Sequence, residues 1–189
     1  MTEQELLVDC LQRLNGLGVG YFLTGSMASN FWGIPRSTHD LDFVVQFPPT
    51  DVLRVVAAFA GDFFVQEISV RSAFRPPFQF NAIDTRSALK VDFWLLRDDP
   101  FSQSMFARRG LVTIFATPAW LATAEDVLLH KLYWHVLTPS DRQLGDAAGV
   151  WSVQGAALDM AYLRRWAGSL GVEGLLEDIL VGRIRPKNS

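Results

Sequence analysis

A change of hydrophobic periodicity near residue 117 is the feature that most constrains how this chain can fold. Before this point, apolar runs of strand length alternate with segments whose apolar residues recur at helical spacing. The run Val19–Thr24 and the alternating stretch Thr38–Phe47 are the clearest predicted strands, and beyond residue 117 the pattern is helical. We therefore expect an α/β core over residues 1–117, built as a mixed sheet with flanking helices, and a C-terminal helical bundle over residues 118–189 that packs on the core.

Composition and charge limit the classes of protein to which the chain can belong. Of its 189 residues, 49% are hydrophobic, which is enough to build a packed core. The single cysteine, Cys10, excludes a disulfide framework and a cysteine-based zinc site. The 17 basic and 20 acidic residues give a net charge of -3, so the chain has no overall positive field that attracts nucleic acid.

The charge of the first residues and the lengths of the apolar runs predict the cellular location of the protein. The segment Met1–Cys10 is acidic, whereas a secretory signal peptide begins with positive charge. No apolar run of the sequence approaches the roughly 18 to 20 residues that a bilayer-spanning helix needs. We therefore expect a cytoplasmic protein with no membrane partner.

The pair Gly25-Ser26 follows a predicted strand and precedes a predicted short helix. A glycine at such a turn lets the backbone approach a ligand closely, and the first N–H groups of the helix point outward from its end. An anion such as phosphate binds well at this place, and the Ser26 hydroxyl adds one more donor. The same pair is also compatible with a plain tight turn whose serine caps the helix.

The carboxylates of Asp40 and Asp42 lie two residues apart on a predicted strand, so both project to one side. They repel each other unless a cation lies between them, and hard oxygen ligands suit magnesium. Asp92, within the predicted strand Leu89–Leu96, is the candidate for a third carboxylate. Such carboxylates beside a phosphate site can support metal-assisted nucleotidyl transfer. The alternative is that the aspartates are the solvent-facing residues of half-exposed strands.

Taken in order, these segments resemble the nucleotidyltransferase superfamily of polymerase-β type. The greatest similarity is to small bacterial members related to the AbiEii-type abortive-infection toxins. The resemblance covers roughly residues 20 to 150. The segments that carry it are Gly25-Ser26, Arg36–Asp42, Lys90–Asp92, Ala124–Leu132 and Arg142–Asp146.

The resemblance implies roles for the glycine, the serine and the aspartates already singled out. Gly25 and Ser26 hold the β- and γ-phosphates of a nucleoside triphosphate (NTP). Asp40 and Asp42 bind Mg²⁺, or Mn²⁺ in its place. Asp92 either completes the metal site or helps to deprotonate the acceptor hydroxyl.

Four further residues receive roles from the same resemblance. Lys131 reaches the triphosphate, and Asp146 is a second candidate for the catalytic base. Arg36 and Thr38 are assigned to the nucleotide side of the site. Arg36 pairs with an acidic neighbour or a phosphate, and Thr38 shapes the entry to the strand that carries the aspartates.

The function that follows is a Mg²⁺-dependent nucleotidyltransferase that moves a nucleoside monophosphate from an NTP to a hydroxyl of an RNA, such as tRNA, or of a protein. A role in a toxin–antitoxin or phage-defence system, with a cognate antitoxin as partner, is implied by the resemblance alone. Two alternatives stay open. One is a catalytically silent module of the same fold that binds a nucleotide or a protein, and the other is a transferase that modifies a small molecule of the antibiotic type.

Overall fold

The computed structural model describes residues 1–186, and the last three residues of the predicted C-terminal region, from Lys187, lie outside the described residues. The chain divides into two compact units. Residues Met1–Thr24 and His39–Leu121 form the first, which we call the sheet unit. Residues Gly25–Thr38 and the chain from Ala122 onward form the second, the helical unit.

The sheet unit contains seven strands in its described residues, together with four α-helices and a short 3-10 helix, Pro49–Asp51. Its helices are α1 (Glu3–Leu17), α3 (Val52–Phe59), α4 (Glu67–Ser72) and α5 (Pro100–Arg108). Its strands are β1 (Gly20–Thr24), β2 (Leu41–Gln46), β3 (Phe63–Phe64), β4 (Gln79–Asp84), β5 (Lys90–Leu95), β6 (Gly110–Ile114) and β7 (Thr117–Leu121).

The strands form one mixed sheet in the order β3-β4-β5-β2-β1-β7-β6. The pairs β2–β5 and β1–β7 are parallel, and the other neighbours are antiparallel. The expected mixed sheet with flanking helices is therefore confirmed.

A row of aromatic side chains on one face of the sheet fixes the register of its central strands. Phe43 of β2 lies opposite Phe93 of β5, which lies opposite Phe80 of β4. The Phe93 ring stacks on both, at centroid distances of 5.7 Å and 4.9 Å, and Phe59 of α3 meets it edge-on at 5.2 Å. Because side chains alternate between faces, a slip of one residue would expose this row, so the register is strongly determined.

The helical unit contains α2 (Gly25–Trp32), α6 (Ala124–Leu137), α7 (Asp141–Gln154), α8 (Met160–Leu170) and α9 (Glu173–Leu180). The α6 helix begins at a cap in which the Thr123 side chain accepts a hydrogen bond from the Asp126 N–H. The α8 helix ends at Gly171, whose φ of 69° is the left-handed conformation that glycine adopts without strain. Across residues 1–186, no helix has both the length and the apolar character needed to cross a membrane.

Two features of the fold differ from the expected regions 1–117 and 118–189. First, residues Thr117–Leu121 form a strand, β7, across the boundary at which the expected C-terminal helical region begins. Phe115 and Ala116 have φ of 46° and 60°, and this turn folds β7 back on β6. Second, the segment Gly25–Thr38 belongs to the helical unit rather than to the α/β core.

Candidate functional site

A row of polar side chains crosses the face of the sheet opposite the stacked phenylalanines. Thr24 of β1 lies opposite Asp42 of β2, Asp42 lies opposite Asp92 of β5, and Asp92 lies opposite Asn81 of β4. Residues directly opposite each other in a sheet project to the same face. Asp42 and Asp92 therefore share one face, and we call Thr24, Asp42, Asp92 and Asn81 the carboxylate row.

The aromatic core determines the sheet face on which the carboxylate row lies, because each aspartate precedes a core phenylalanine in its strand. Asp42 precedes Phe43, and Asp92 precedes Phe93. Both phenylalanines are buried, with 0% and 1% of their surface exposed. When the rings enter the core, the two aspartates must project to the other side.

Asp40 lies outside the strand on which the sequence predicts it. The β2 strand begins at Leu41 rather than at Thr38, and Asp40 is exposed. The β2 strand pairs with β1 from Asp42 onward and with β5 from Leu41 onward. Asp40 thus has no register partner in the sheet, although it stands two residues from Asp42.

The Lys90 ammonium contacts the carboxylate row directly. Its Nζ lies 2.7 Å from Oδ2 of Asp92, whose side chain is 12% exposed. The hydrogen bond to Asp92 raises the pKa of Lys90 despite some desolvation, and the charges of Asp92, Asp40 and Asp42 raise it further. All three acids predicted as metal ligands therefore act electrostatically on this one lysine.

Two buried oxygens of the carboxylate row are left unsatisfied. Oδ1 of Asp92 has no hydrogen-bond partner within residues 1–186, and the same holds for Oγ1 of Thr24. A buried polar atom without a partner is costly, and in a native structure a water, an ion or a catalytic role can account for it. An unused carboxylate oxygen beside a second aspartate is the kind of hard donor that Mg²⁺ or Mn²⁺ takes.

The donor chemistry of the row fits a divalent cation, but the three acids are not gathered as ligands. In the part of the chain that the structure describes, no group of three histidine, cysteine, aspartate or glutamate side chains could hold a metal ion as placed. The Lys90 ammonium bonds one of the Asp92 oxygens that a metal could use. The residues that would hold the metal are Asp40, Asp42 and Asp92.

In the helical unit, the predicted phosphate-binding pair lies at the start of α2. Gly25 is the first residue of this helix, with a φ of 64°, a backbone conformation that most other residues adopt only with strain. Ser26 follows in the first turn, where the backbone N–H groups have no partner within the helix. The local backbone is therefore of the kind that binds anions.

Four side chains of the helical unit form one hydrogen-bonded cluster, which we call the cation network. Arg36 donates from Nε to Oδ1 of Asp146 at 2.7 Å and from Nη2 to Oδ2 at 2.8 Å. Lys131 donates from Nζ to Oδ2 of Asp146 at 2.8 Å. Both cations also reach Oγ of Ser26, Arg36 at 2.8 Å and Lys131 at 3.4 Å. The network thus brings together four of the residues that the sequence singles out.

The environment of Asp146 favours its charged form. Burial by itself raises the pKa of this carboxyl, whose side chain is 7% exposed. The hydrogen bond from Arg36 and the charge of Lys131 outweigh burial and hold the pKa below its usual value. A carboxylate with a lowered pKa and both oxygens engaged is a poor proton acceptor, so its observed arrangement is that of a group that orients two cations.

Asn30 and Gly33 position the loop that contains Arg36. Asn30 donates from Nδ2 to the Arg36 carbonyl at 2.7 Å and accepts from the Arg36 N–H at 3.1 Å. At Gly33, a Cβ would lie 2.7 Å from the backbone nitrogen of Val150 and 2.8 Å from the carbonyl carbon of Gly149. The loop after α2 therefore lies directly against the α7 backbone. The Asn-x5-Arg spacing is a weak signal that sequence patterns alone do not single out.

Thr38 ends the segment that contains Arg36. It is buried, with 9% of its surface exposed, which is unusual for a threonine in a loop. The roles of Thr38, Lys131 and Asp146 in nucleotide binding or catalysis rest on resemblance and stay predictions.

No protein-family model matches the sequence, and no curated protein matches it. Solved structures do resemble it. The solution structure of the antibiotic-resistance factor ANT(2'')-Ia gives a TM-score of 0.60 at 14% identity, covering 88% of this chain and 94% of that one. The crystal structure of ANT(2'')-Ia in complex with adenylyl-2''-tobramycin gives 0.55 at 13% identity, covering 97% and 99%.

A third similar structure is an antigenic nucleotidyltransferase-like protein from Paracoccidioides brasiliensis. Its TM-score is 0.56 at 16% identity, and the likeness covers 99% of this chain and 95% of that one. At such identities a likeness shows the fold and does not by itself show the activity. The fold of this chain is the nucleotidyltransferase-like fold, as the sequence predicts.

Proposed function

We propose that this protein is a metal-dependent nucleotidyltransferase that moves a nucleoside monophosphate from an NTP to a hydroxyl group. The observation that carries the proposal is the in-register pair of Asp42 and Asp92 on one sheet face, with the buried Oδ1 of Asp92 left without a partner in residues 1–186. The Lys90 ammonium compensates Oδ2 of Asp92, so the unpartnered Oδ1 is the atom that calls for a further ligand.

The cation network supplies the second requirement, which is a site for the triphosphate. The Ser26 hydroxyl and the N–H groups at the start of α2 offer neutral donors, and Gly25 lets a phosphate approach the backbone. Arg36 and Lys131 bring two positive charges to Ser26, while Asp146 neutralises one of them. Two cationic side chains that donate to Ser26 suit an anionic ligand such as a phosphate, and Thr38 belongs to the same segment as Arg36.

In the proposed reaction, the acceptor hydroxyl oxygen forms a bond to the α-phosphorus of the NTP while the bond to pyrophosphate breaks. Asp92 accepts the hydroxyl proton on Oδ1, which has no partner among the described residues. Mg²⁺ or Mn²⁺, if held by Asp40, Asp42 and the other oxygen of Asp92, would neutralise charge on the phosphate oxygens. We assign the base role to Asp92 rather than to Asp146, because the pKa of Asp146 is lowered by Arg36 and Lys131.

The acceptor we propose is a hydroxyl of an RNA, such as tRNA, or of a protein, as in the toxin-related branch that the Arg36–Asp42 segment resembles. In that setting the protein acts in the cytoplasm and a cognate antitoxin is its partner. A second candidate is a small-molecule acceptor. It is favoured by the similarity to ANT(2'')-Ia, whose crystal structure contains adenylyl-2''-tobramycin.

The test is transfer of label from each α-³²P-labelled NTP in the presence of Mg²⁺. Total cell RNA, lysate protein and an aminoglycoside panel serve as three separate acceptor pools. We expect label in one pool, reduced at least about 1,000-fold in Asp42→Asn and in Asp92→Asn, since removing groups at the reacting centre has effects of this order. Asp98→Asn, which changes an exposed aspartate beyond β5, is the matched control and keeps the activity.

The outcome identifies the function class as well as the acceptor. Label in the RNA or protein pool supports the macromolecular acceptor, and label in the aminoglycoside pool supports the small-molecule one. A folded protein that labels nothing but binds NTP is the catalytically silent module. A folded protein that neither labels nor binds NTP contradicts the proposed function altogether.

A further inference from the structure

Lys90 occupies the position from which a cation can neutralise the carboxylate row. It stands two residues before Asp92 on β5, so both side chains project to the same face. Its Nζ lies 2.7 Å from Oδ2 of Asp92. This oxygen belongs to one of the three acids that the proposed function assigns to a divalent metal.

The Lys90 ammonium is also able to detach from the Asp92 carboxylate. Its side chain is 49% exposed, whereas that of Asp92 is 12% exposed. A half-exposed lysine on a flexible four-carbon stem can return its ammonium to water, and an incoming metal would then compensate the buried Asp92 carboxylate in its place. The pair is therefore a reversible contact at the edge of a buried carboxylate.

We propose that Lys90 is a built-in counter-ion that holds Asp92 when no metal is bound and is displaced when a metal arrives. The inference rests on the proposed function, because it concerns the same metal ligands. It accounts for the ammonium that is bound to one oxygen of Asp92, an oxygen that a metal could use.

The consequence is an order of binding. A divalent metal that arrives alone must displace the ammonium and then stay beside it, so two cations compete for the same acids. A metal that arrives with an NTP brings the negative charge of the triphosphate, which offsets the extra cation. Lys90 thus weakens binding of the free metal and makes the protein select the metal–nucleotide complex.

The test measures metal binding without nucleotide, so it does not depend on turnover. Mn²⁺ is titrated into the wild-type protein, Lys90→Met and Lys90→Arg, and free Mn²⁺ is followed by electron paramagnetic resonance. We expect Lys90→Met to bind Mn²⁺ roughly threefold to tenfold more tightly than wild type, because a nearby positive charge and its ion pair are removed. Lys90→Arg restores the charge and is expected to bind about as the wild type does.

Two further measurements keep the result interpretable. Circular dichroism checks that each variant is folded. Asp42→Asn in the Lys90→Met background is expected to lose the gained affinity, which places the ion at the carboxylate row.

The outcomes separate this inference from the proposed function. If wild type and Lys90→Met bind Mn²⁺ with equal affinity, or if the variant binds it more weakly, the counter-ion role is wrong. The metal site of the proposed function then still stands. If none of the folded proteins binds Mn²⁺, with or without ATP, the metal site of the proposed function is wrong and the inference falls with it.

Discussion

Arg36 and Asp146 lie 110 positions apart in the sequence and form a two-bond ion pair in the helical unit. The planar guanidinium presents two N–H groups to the two carboxylate oxygens, a geometry that fixes its orientation. The same arginine reaches Oγ of Ser26 at 2.8 Å, and Lys131 shares one oxygen of Asp146. One buried carboxylate therefore orients both cations toward the start of α2.

The orienting role of Asp146 predicts a loss of nucleotide affinity on substitution. In Asp146→Asn, the amide cannot hold two cations, so we expect the affinity for an NTP to fall roughly tenfold, as for the loss of a charge-assisted interaction. Isothermal titration with ATP and Mg²⁺ measures this. Asp141→Asn, a change in the first turn of the same helix, is the matched control and is expected to keep wild-type affinity.

The kinetics of Asp146→Asn distinguish between two roles of Asp146, which are orienting the two cations and accepting the proton of the acceptor hydroxyl. If Asp146 orients the cations, Asp146→Asn at saturating NTP keeps far more activity than Asp92→Asn does. An Asp146→Asn protein with unchanged affinity and no turnover at saturating NTP would instead identify Asp146 as the base.

The mixed sheet was predictable because its signals are local. In β2 and β5 each aspartate alternates with core phenylalanines, and that period-two pattern is visible in the sequence as it stands. The contact between Arg36 and Asp146 was not predictable from pattern. It depends on how the loop after α2 meets α7, which no local spacing encodes.

Two other features, the β7 strand and the Lys90–Asp92 contact, could not be recognised from the sequence pattern. The β7 strand has buried residues at alternate positions, but Pro118 within it and the left-handed turn at Phe115 and Ala116 before it obscure a strand pattern. The Lys90–Asp92 contact follows the two-residue spacing of a strand, yet the sequence does not distinguish an ion pair from two solvated side chains.

The close approach at Gly33 predicts that any side chain there is destabilising. In Gly33→Ala, the new Cβ meets the backbone of Gly149 and Val150 at less than 3 Å, so the loop or α7 must shift. We expect a loss of about 1–3 kcal/mol in the free energy of unfolding, which is typical of overpacking, measured by urea denaturation. Weaker NTP binding is expected as well, because the loop carries Arg36.

A second glycine supplies the control for this experiment. At Gly16, in the α1 helix, no atom of residues 1–186 outside the local helix backbone lies within 4 Å of an added Cβ. Gly16→Ala is expected to stabilise the protein by about 0.5–1 kcal/mol through helix propensity. Equal stability of Gly33→Ala and wild type would contradict the close packing of the loop against α7.

The lowered pKa of Asp146 predicts how its contribution to stability depends on pH. Because its pKa in the folded protein lies below the ordinary value of 3.8, the carboxylate stabilises the fold above that value, and the stabilisation is lost as the pH falls through the folded pKa. Wild type and Asp146→Asn are therefore expected to differ by roughly 3–5 kcal/mol near pH 6, as for a buried ion pair that loses one partner. Urea denaturation between pH 6 and pH 3 should show this difference shrinking as the pH falls. A difference that grows toward low pH would mean that the pKa of Asp146 is raised.

The thiol of Cys10 reports on the packing of α1 in the sheet unit. The side chain is 0% exposed, and burial, followed by the charge of Asp9, raises the pKa of the thiol. Because the thiolate is the reactive form, a buried thiol with a raised pKa reacts only after the structure opens. Cys10 is the single cysteine of the chain, so a thiol reagent such as DTNB gives one unambiguous signal. We expect the native protein to react at least about 1,000-fold more slowly than the urea-unfolded protein. Fast stoichiometric labelling of the native protein would contradict the burial of Cys10 in α1.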